Sequence, residues 1–118
     1  MKSLSLFLLL VCGLGACSSE GDSSIARPKN LIPQEKMVLI LADIHQTEGI
    51  ISTKEYSKDS SLLLFTELEN QLLAKHNVTQ TQFTESYNWY TSNVEEYKTL
   101  YTIVVDTLNV RTSEGKIK

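Results

Sequence analysis

Between Pro33 and Asn109, apolar side chains return every third or fourth position in four stretches separated by polar turns, a spacing that commits the chain to helices. Pro33 suits the first turn of a helix, and Gln34-Glu35 place polarity and negative charge at the positive end of its dipole. The helix that follows runs to about residue 51, with Met37, Leu41, Ile44 and Ile51 on one stripe and Val38 and Ile40 beside it. Residues 52–60 are polar, and Asp59 or Ser60 can cap a second helix over about Ser61–His76. Its stripe is Leu62, Phe65, Leu72 and Leu73, widened by Leu68. His76-Asn77 suits a C-terminus, because His is favourable at the negative end of the dipole and Asn tolerates the left-handed cap.

Thr79 followed by Gln82 is a capping box, and Val78 and Phe83 form its hydrophobic staple. These signals open a third helix, about Gln80–Tyr90, with Phe83, Tyr87 and Tyr90 aligned. Ser92 with Glu95 reads as a second box opening a fourth helix, about Asn93–Asn109. Val94, Tyr97, Tyr101, Val104 and Leu108 line its stripe, with Leu100 and Val105 alongside. The expected fold is all-α, a small bundle of about four amphipathic helices with a modest core.

Residues 1–17 are a different kind of sequence: Lys2, then an apolar run ending in Leu14-Gly15-Ala16-Cys17. The run is shorter than the roughly 20 residues a helix needs to span a bilayer. Its end resembles the bacterial lipobox, in which an aliphatic and two small residues precede a cysteine that is acylated after cleavage. The reading is therefore a lipoprotein signal peptide over 1–16, an acylated Cys17 with a Ser-rich flexible tether over 17–30, a helical domain over 31–110 and a polar tail over 111–118. An uncleaved signal anchor or an ordinary secretory signal is the plainer alternative. Cys12 would leave with the signal and Cys17 would be consumed by the palmitate-type anchor, so no thiol is left for disulfides, zinc or nucleophilic catalysis. Membrane attachment through several acyl chains needs no transmembrane helix. Ser18 after the cysteine resembles lipoproteins sorted to the outer membrane, and Glu20 with Asp22 loosely resembles surface-export signals. The periplasmic and surface faces of the cell envelope both stay open.

Eleven Lys and Arg against fourteen Asp and Glu give a net charge of −3, without the clustered basic excess that nucleic-acid binding needs. No nucleic-acid partner is expected.

The order of these features is informative. Leu31-Ile32-Pro33-Gln34-Glu35-Lys36-Met37, Ile40-Leu41-Ala42-Asp43-Ile44-His45 and Lys75-His76-Asn77-Val78-Thr79 are followed by Phe83, Ser86, Tyr87, Tyr90 and Glu95-Glu96-Tyr97. Together with the lipobox, these blocks resemble a family of Bacteroidota lipoproteins catalogued as domain of unknown function 4296. The resemblance spans about residues 31–109 and implies a helical domain in the envelope; it implies no activity. Asn77 stands where many members would have Gly. The helix, capped turn and aromatic helix of the second block also resemble the helical client-binding segments of periplasmic chaperones of the prolyl-isomerase class.

Four groups of residues are candidates for chemistry. Asp43, His45 and Glu48 share the first helix, but their spacing matches neither di-iron nor zinc-protease motifs. No metal or other cofactor is expected there, and a surface His45–Glu48 hydrogen bond is the default reading. Glu48 and Glu69 fall within apolar stripes, so each either reaches water at the core's edge or makes a buried polar contact with His76 or a Tyr hydroxyl. Trp89 lies off the third helix's apolar line, on the side of Glu85 and Gln82, where it could anchor a partner or fold over the bundle edge. Asp106-Thr107-Leu108 matches a short bacterial O-glycosylation pattern at Thr107. No catalytic motif is present. The leading expectation is a non-catalytic binding or assembly module for an envelope protein, with a chaperone-like subunit second and a small enzyme using acid–base or metal chemistry near His45 and Glu48 third.

Overall fold

The computed structural model describes residues 25–115, which form four α-helices and no strand: α1 (Gln34–Ser52), α2 (Lys58–Lys75), α3 (Gln80–Ser92) and α4 (Val94–Ser113). The signal sequence, Cys17 and most of the expected tether lie outside the described residues. Helix α1 is the centre of the domain, packed on α2 to one side and on α4 to the other. Helices α2 and α4 do not pack on each other, and α3 joins them by packing on α4 and more lightly on α2.

The core follows from this placement. Flanked on two sides, α1 buries Met37, Val38, Ile40, Leu41, Ala42, Ile44 and Ile51. Leu73, Val78, Phe83, Tyr90, Leu100 and Val104 pack with them. Helix α2 has α1 on one side and little else, so Leu73 is its one fully buried residue. Leu62, expected on the core stripe, is 64% exposed and Leu63 is 73% exposed. On α4, Leu100 and Val104 fill the core while Val94, Tyr97 and Val105, expected in or beside the stripe, face outward. The helix meets α1 and α3 along the narrower line of Leu100, Val104 and the half-buried Tyr101 and Leu108.

The turn between α2 and α3 forms as the sequence predicts except for the second half of the capping box, because the Gln82 side chain is turned to the Asn30 carbonyl and makes no bond to the Thr79 amide. Asn77 takes the left-handed conformation (φ 58°), and the Val78 and Asn77 amides donate back to the Leu73 and Ala74 carbonyls. Those two bonds are the paired closure of a left-handed helix C-terminus. Thr79 Oγ1 accepts from the Gln82 amide at 3.1 Å and caps α3, with Val78 and Phe83 both buried.

Three boundaries differ from expectation. Helix α2 starts at Lys58, capped by Ser57 rather than by Asp59 or Ser60, because the Ser57 hydroxyl accepts from the Ser60 amide. The Ser92–Glu95 box does not form. Ser92 is still helical and donates to the Trp89 carbonyl, while Asn93 alone breaks the path between α3 and α4 and has no capping bond of its own. Finally, α4 continues to Ser113, so Arg111 is a helical residue and not part of a tail.

Ahead of α1, residues 27–32 are fastened across α3. Ile32 is fully buried; its amide donates to Ser86 Oγ at 3.0 Å and its carbonyl accepts from the Tyr90 hydroxyl at 2.7 Å. One turn earlier on α3, Gln82 donates its side-chain amide to the Asn30 carbonyl. Positions 82, 86 and 90 repeat every four residues and so share one helix face.

Candidate functional site

Asp43 projects from the middle of α1, three residues beyond the buried Ile40, and collects charge from two other helices. His76 Nε2 lies 2.8 Å from its Oδ2, and Arg111 donates to its Oδ1 at 2.7 Å. A carboxylate can only accept, so the imidazole carries its proton on Nε2. Arg111 also donates to Gln46 Oε1, and Lys75 Nζ stands 3.8 Å from Asp43. The Asp43, His76 and Arg111 side chains are each no more than one-fifth exposed. Burial by itself would raise the Asp43 pKa, but His76, Arg111 and Lys75 outweigh it and hold the carboxyl below its ordinary value. The cluster ties the C-terminal ends of α2 and α4 to α1, and its charges are mutually satisfied.

A second polar group lines a crevice of about 210 Å³ in which all four helices take part. Its walls include Leu41 and Ile44 of α1, Phe65 of α2, Phe83 and Tyr87 of α3, and Tyr101 of α4, with His45, Glu48 and Glu69 contributing polar groups. Phe83 stacks on Tyr87, and Tyr101 meets His45 edge-on and Tyr97 at a tilt. Burial pushes the Tyr101 phenol up, with Tyr87, Tyr97 and Glu48 adding to the shift. His45 Nδ1 lies 3.3 Å from Glu48 Oε2, while its Nε2 is buried with no partner.

The sequence-derived candidates divide between these places. Glu48 is not buried: its side chain is 52% exposed, in the stretch 48–50 where α1 faces water before Ile51 is covered again. Glu69 is half-buried, and the two carboxylates share the crevice. His76 joins Asp43 instead. His45 and Glu48 do stand side by side, 3.3 Å apart and both open to water, but the contact lacks hydrogen-bond geometry. Among the described residues, no three His, Cys, Asp or Glu are arranged to hold a metal ion.

Trp89 packs half-buried on the core's edge, its ring against Tyr90 and beneath the Arg27 guanidinium, 5.4 Å from its centroid. Gln82 is engaged with Asn30, and Glu85 is exposed. Thr107 donates its hydroxyl to the Ile103 carbonyl inside α4.

Sequence reasoning missed Arg111 and the central role of Asp43. The signal was there: Leu100, Val104, Leu108 and Arg111 continue one helical line, and an arginine ending such a line reaches back along the core.

The model of a family described as a domain of unknown function, DUF4296, matches residues 28–114. The chain belongs to this family. The match takes in all four helices and most of the segment fastened to α3, so Asp43, His76, Arg111 and the aromatic crevice all fall within it. No curated protein and no solved structure matches the chain.

Proposed function

We propose that this chain is a lipoprotein of the cell envelope, anchored through Cys17 to the outer membrane, whose helical domain is a non-catalytic binding or assembly module for another envelope protein. The lipobox supports the anchor, and among the described residues no helix is long and apolar enough to cross a membrane.

The observation that carries the binding role is the outer side of α2. Leu62 and Leu63 are mostly exposed, and Tyr56 and Ile50 beside the α1–α2 turn are about half exposed. Leu62 and Leu63 are neighbours on α2 and the most exposed of the large apolar side chains among the described residues, and adjoining exposed apolar side chains mark a contact surface more often than scattered single ones do. Trp89 could add to a contact only where Arg27 leaves its ring uncovered.

A photo-crosslinking side chain at Leu63 of the full-length chain, followed by detergent extraction of the envelope, tests the reading. One stoichiometric adduct that disappears with Leu62→Glu supports a dedicated partner. A spread of unfolded clients replaces it with the chaperone-like alternative, and no adduct overturns the contact surface. Separately, Cys17→Ser must release the protein from the membrane fraction if the anchor is correct.

A further inference from the structure

The crevice between the helices is unusual in its balance of groups. Phe65, Tyr87 and Tyr101 give it aromatic walls, Glu48 and Glu69 give it two carboxylates, and no lysine or arginine lines it. Glu69 has no cationic partner among the described residues, and Glu48 has only His45. His45 Nε2 is buried with no partner, and its Nδ1 stands 3.3 Å from Glu48 Oε2. The lining thus offers two carboxylates with no lysine or arginine beside them. Aromatic faces attract cations too, through the negative face of the ring quadrupole.

We propose that this crevice receives one arginine or lysine side chain of the partner protein, its cationic head held between Glu48 and Glu69 and its stem lying on the rings of Tyr87 and Tyr101. The proposal rests on the binding-module reading and adds the chemistry of one partner residue. Size argues for a side chain: about 210 Å³ is below the roughly 300–1,000 Å³ of pockets for drug-sized ligands. Arginine fits better than lysine, since its planar fork can bond a carboxylate in two-pronged fashion while stacking on an aromatic face.

The test is an NMR titration of the full-length protein in detergent micelles with acetyl-Gly-Arg-Gly-amide, its citrulline counterpart and ethylguanidinium. The arginine peptide should shift the resonances of residues 45, 48, 69, 87 and 101 saturably. Citrulline keeps the shape without the charge and should bind about tenfold more weakly, the factor expected from one charge-assisted contact. A Glu48→Gln/Glu69→Gln variant with an unchanged thermal midpoint should lose a similar factor; both side chains are at least partly exposed, so it should fold. Equal binding of the arginine and citrulline peptides, or shifts confined to other surfaces, overturns the proposal. Ethylguanidinium binding as tightly as the peptide overturns the partner-protein source in favour of a small cation. Failure here with a single Leu63 adduct still present refutes the crevice and leaves the binding module standing.

Discussion

Arg111 donates to Asp43 at 2.7 Å across 68 residues of sequence, joining the last turn of α4 to the middle of α1. His76 reaches the other oxygen of the same carboxylate from the end of α2. Two helices that do not pack on each other are thus held to a third by one acid. Removing the acid leaves an arginine and an imidazole confined without their partner. Asp43→Asn should therefore cost about 1–3 kcal/mol, below the range for fully buried pairs because this one is partly open to water. Asp43→Leu combined with Arg111→Met should cost less than Asp43→Leu alone, since no uncompensated charge remains. Urea denaturation of the three variants checks both expectations.

The same acid sets a pH dependence. Its folded pKa lies below the ordinary value of 3.8, so its contribution is complete above about pH 4 and is lost as pH falls through the folded value. The denaturant midpoint of the native protein should fall over that acid range more steeply than that of Asp43→Asn. Parallel curves would show that Asp43 carries no stabilising charge.

Ser86 is fully buried, and its hydroxyl is the acceptor for the Ile32 amide. Ser86→Ala leaves that amide without a partner and should cost about 1–3 kcal/mol. Hydrogen exchange at Ile32 should speed up more than at Leu100, which lies elsewhere in the core. Tyr90→Phe removes the donor to the Ile32 carbonyl and should have a smaller effect, since a carbonyl tolerates a lost bond better.

At Asn77 the backbone is left-handed. Asn77→Gly should be neutral or stabilise by up to about 1 kcal/mol, whereas Asn77→Val should destabilise by about 1–2 kcal/mol or more, because a β-branched side chain is strained there. Thermal midpoints of the two variants should move in opposite directions or differ clearly in size.

Trp89→Ala removes both a half-buried ring and the surface on which Arg27 rests. A loss of about 1–3 kcal/mol is expected, together with faster exchange of the Leu31 and Ile32 amides. A variant with unchanged stability would show that the indole contributes only to the surface.

The helices were legible because local signals and periodicity agree. Asn77 and Thr79 dictate the α2–α3 turn without help from the rest of the chain, and the apolar spacing of α1 matches a helix covered on two sides. Errors arose where tertiary contacts decide the outcome. Leu62 has the spacing of a core residue, but no described helix covers it. Ser92 has the spacing of a cap, but α3 extends through it. The candidate site was legible in its residues but not in their pairing. Glu48, Glu69 and His45 were singled out and share one crevice. His76 pairs with Asp43 instead, a contact that local spacing does not reveal because its other member, Arg111, is brought there only by α4 running on past Asn109.

The fastening of Ile32 also orders events in time. Its two partners are 54 and 58 residues further along the chain, and Arg111 comes later still. A nascent chain emerging from its N-terminus would present Leu31, Ile32 and the apolar face of α1 long before anything that covers them had been made. Long-range closure of this kind slows folding and lengthens the exposure of sticky surface. The segment ahead of α1 therefore stays unfastened until residue 90 has appeared, and Asp43 waits longer still, for Arg111.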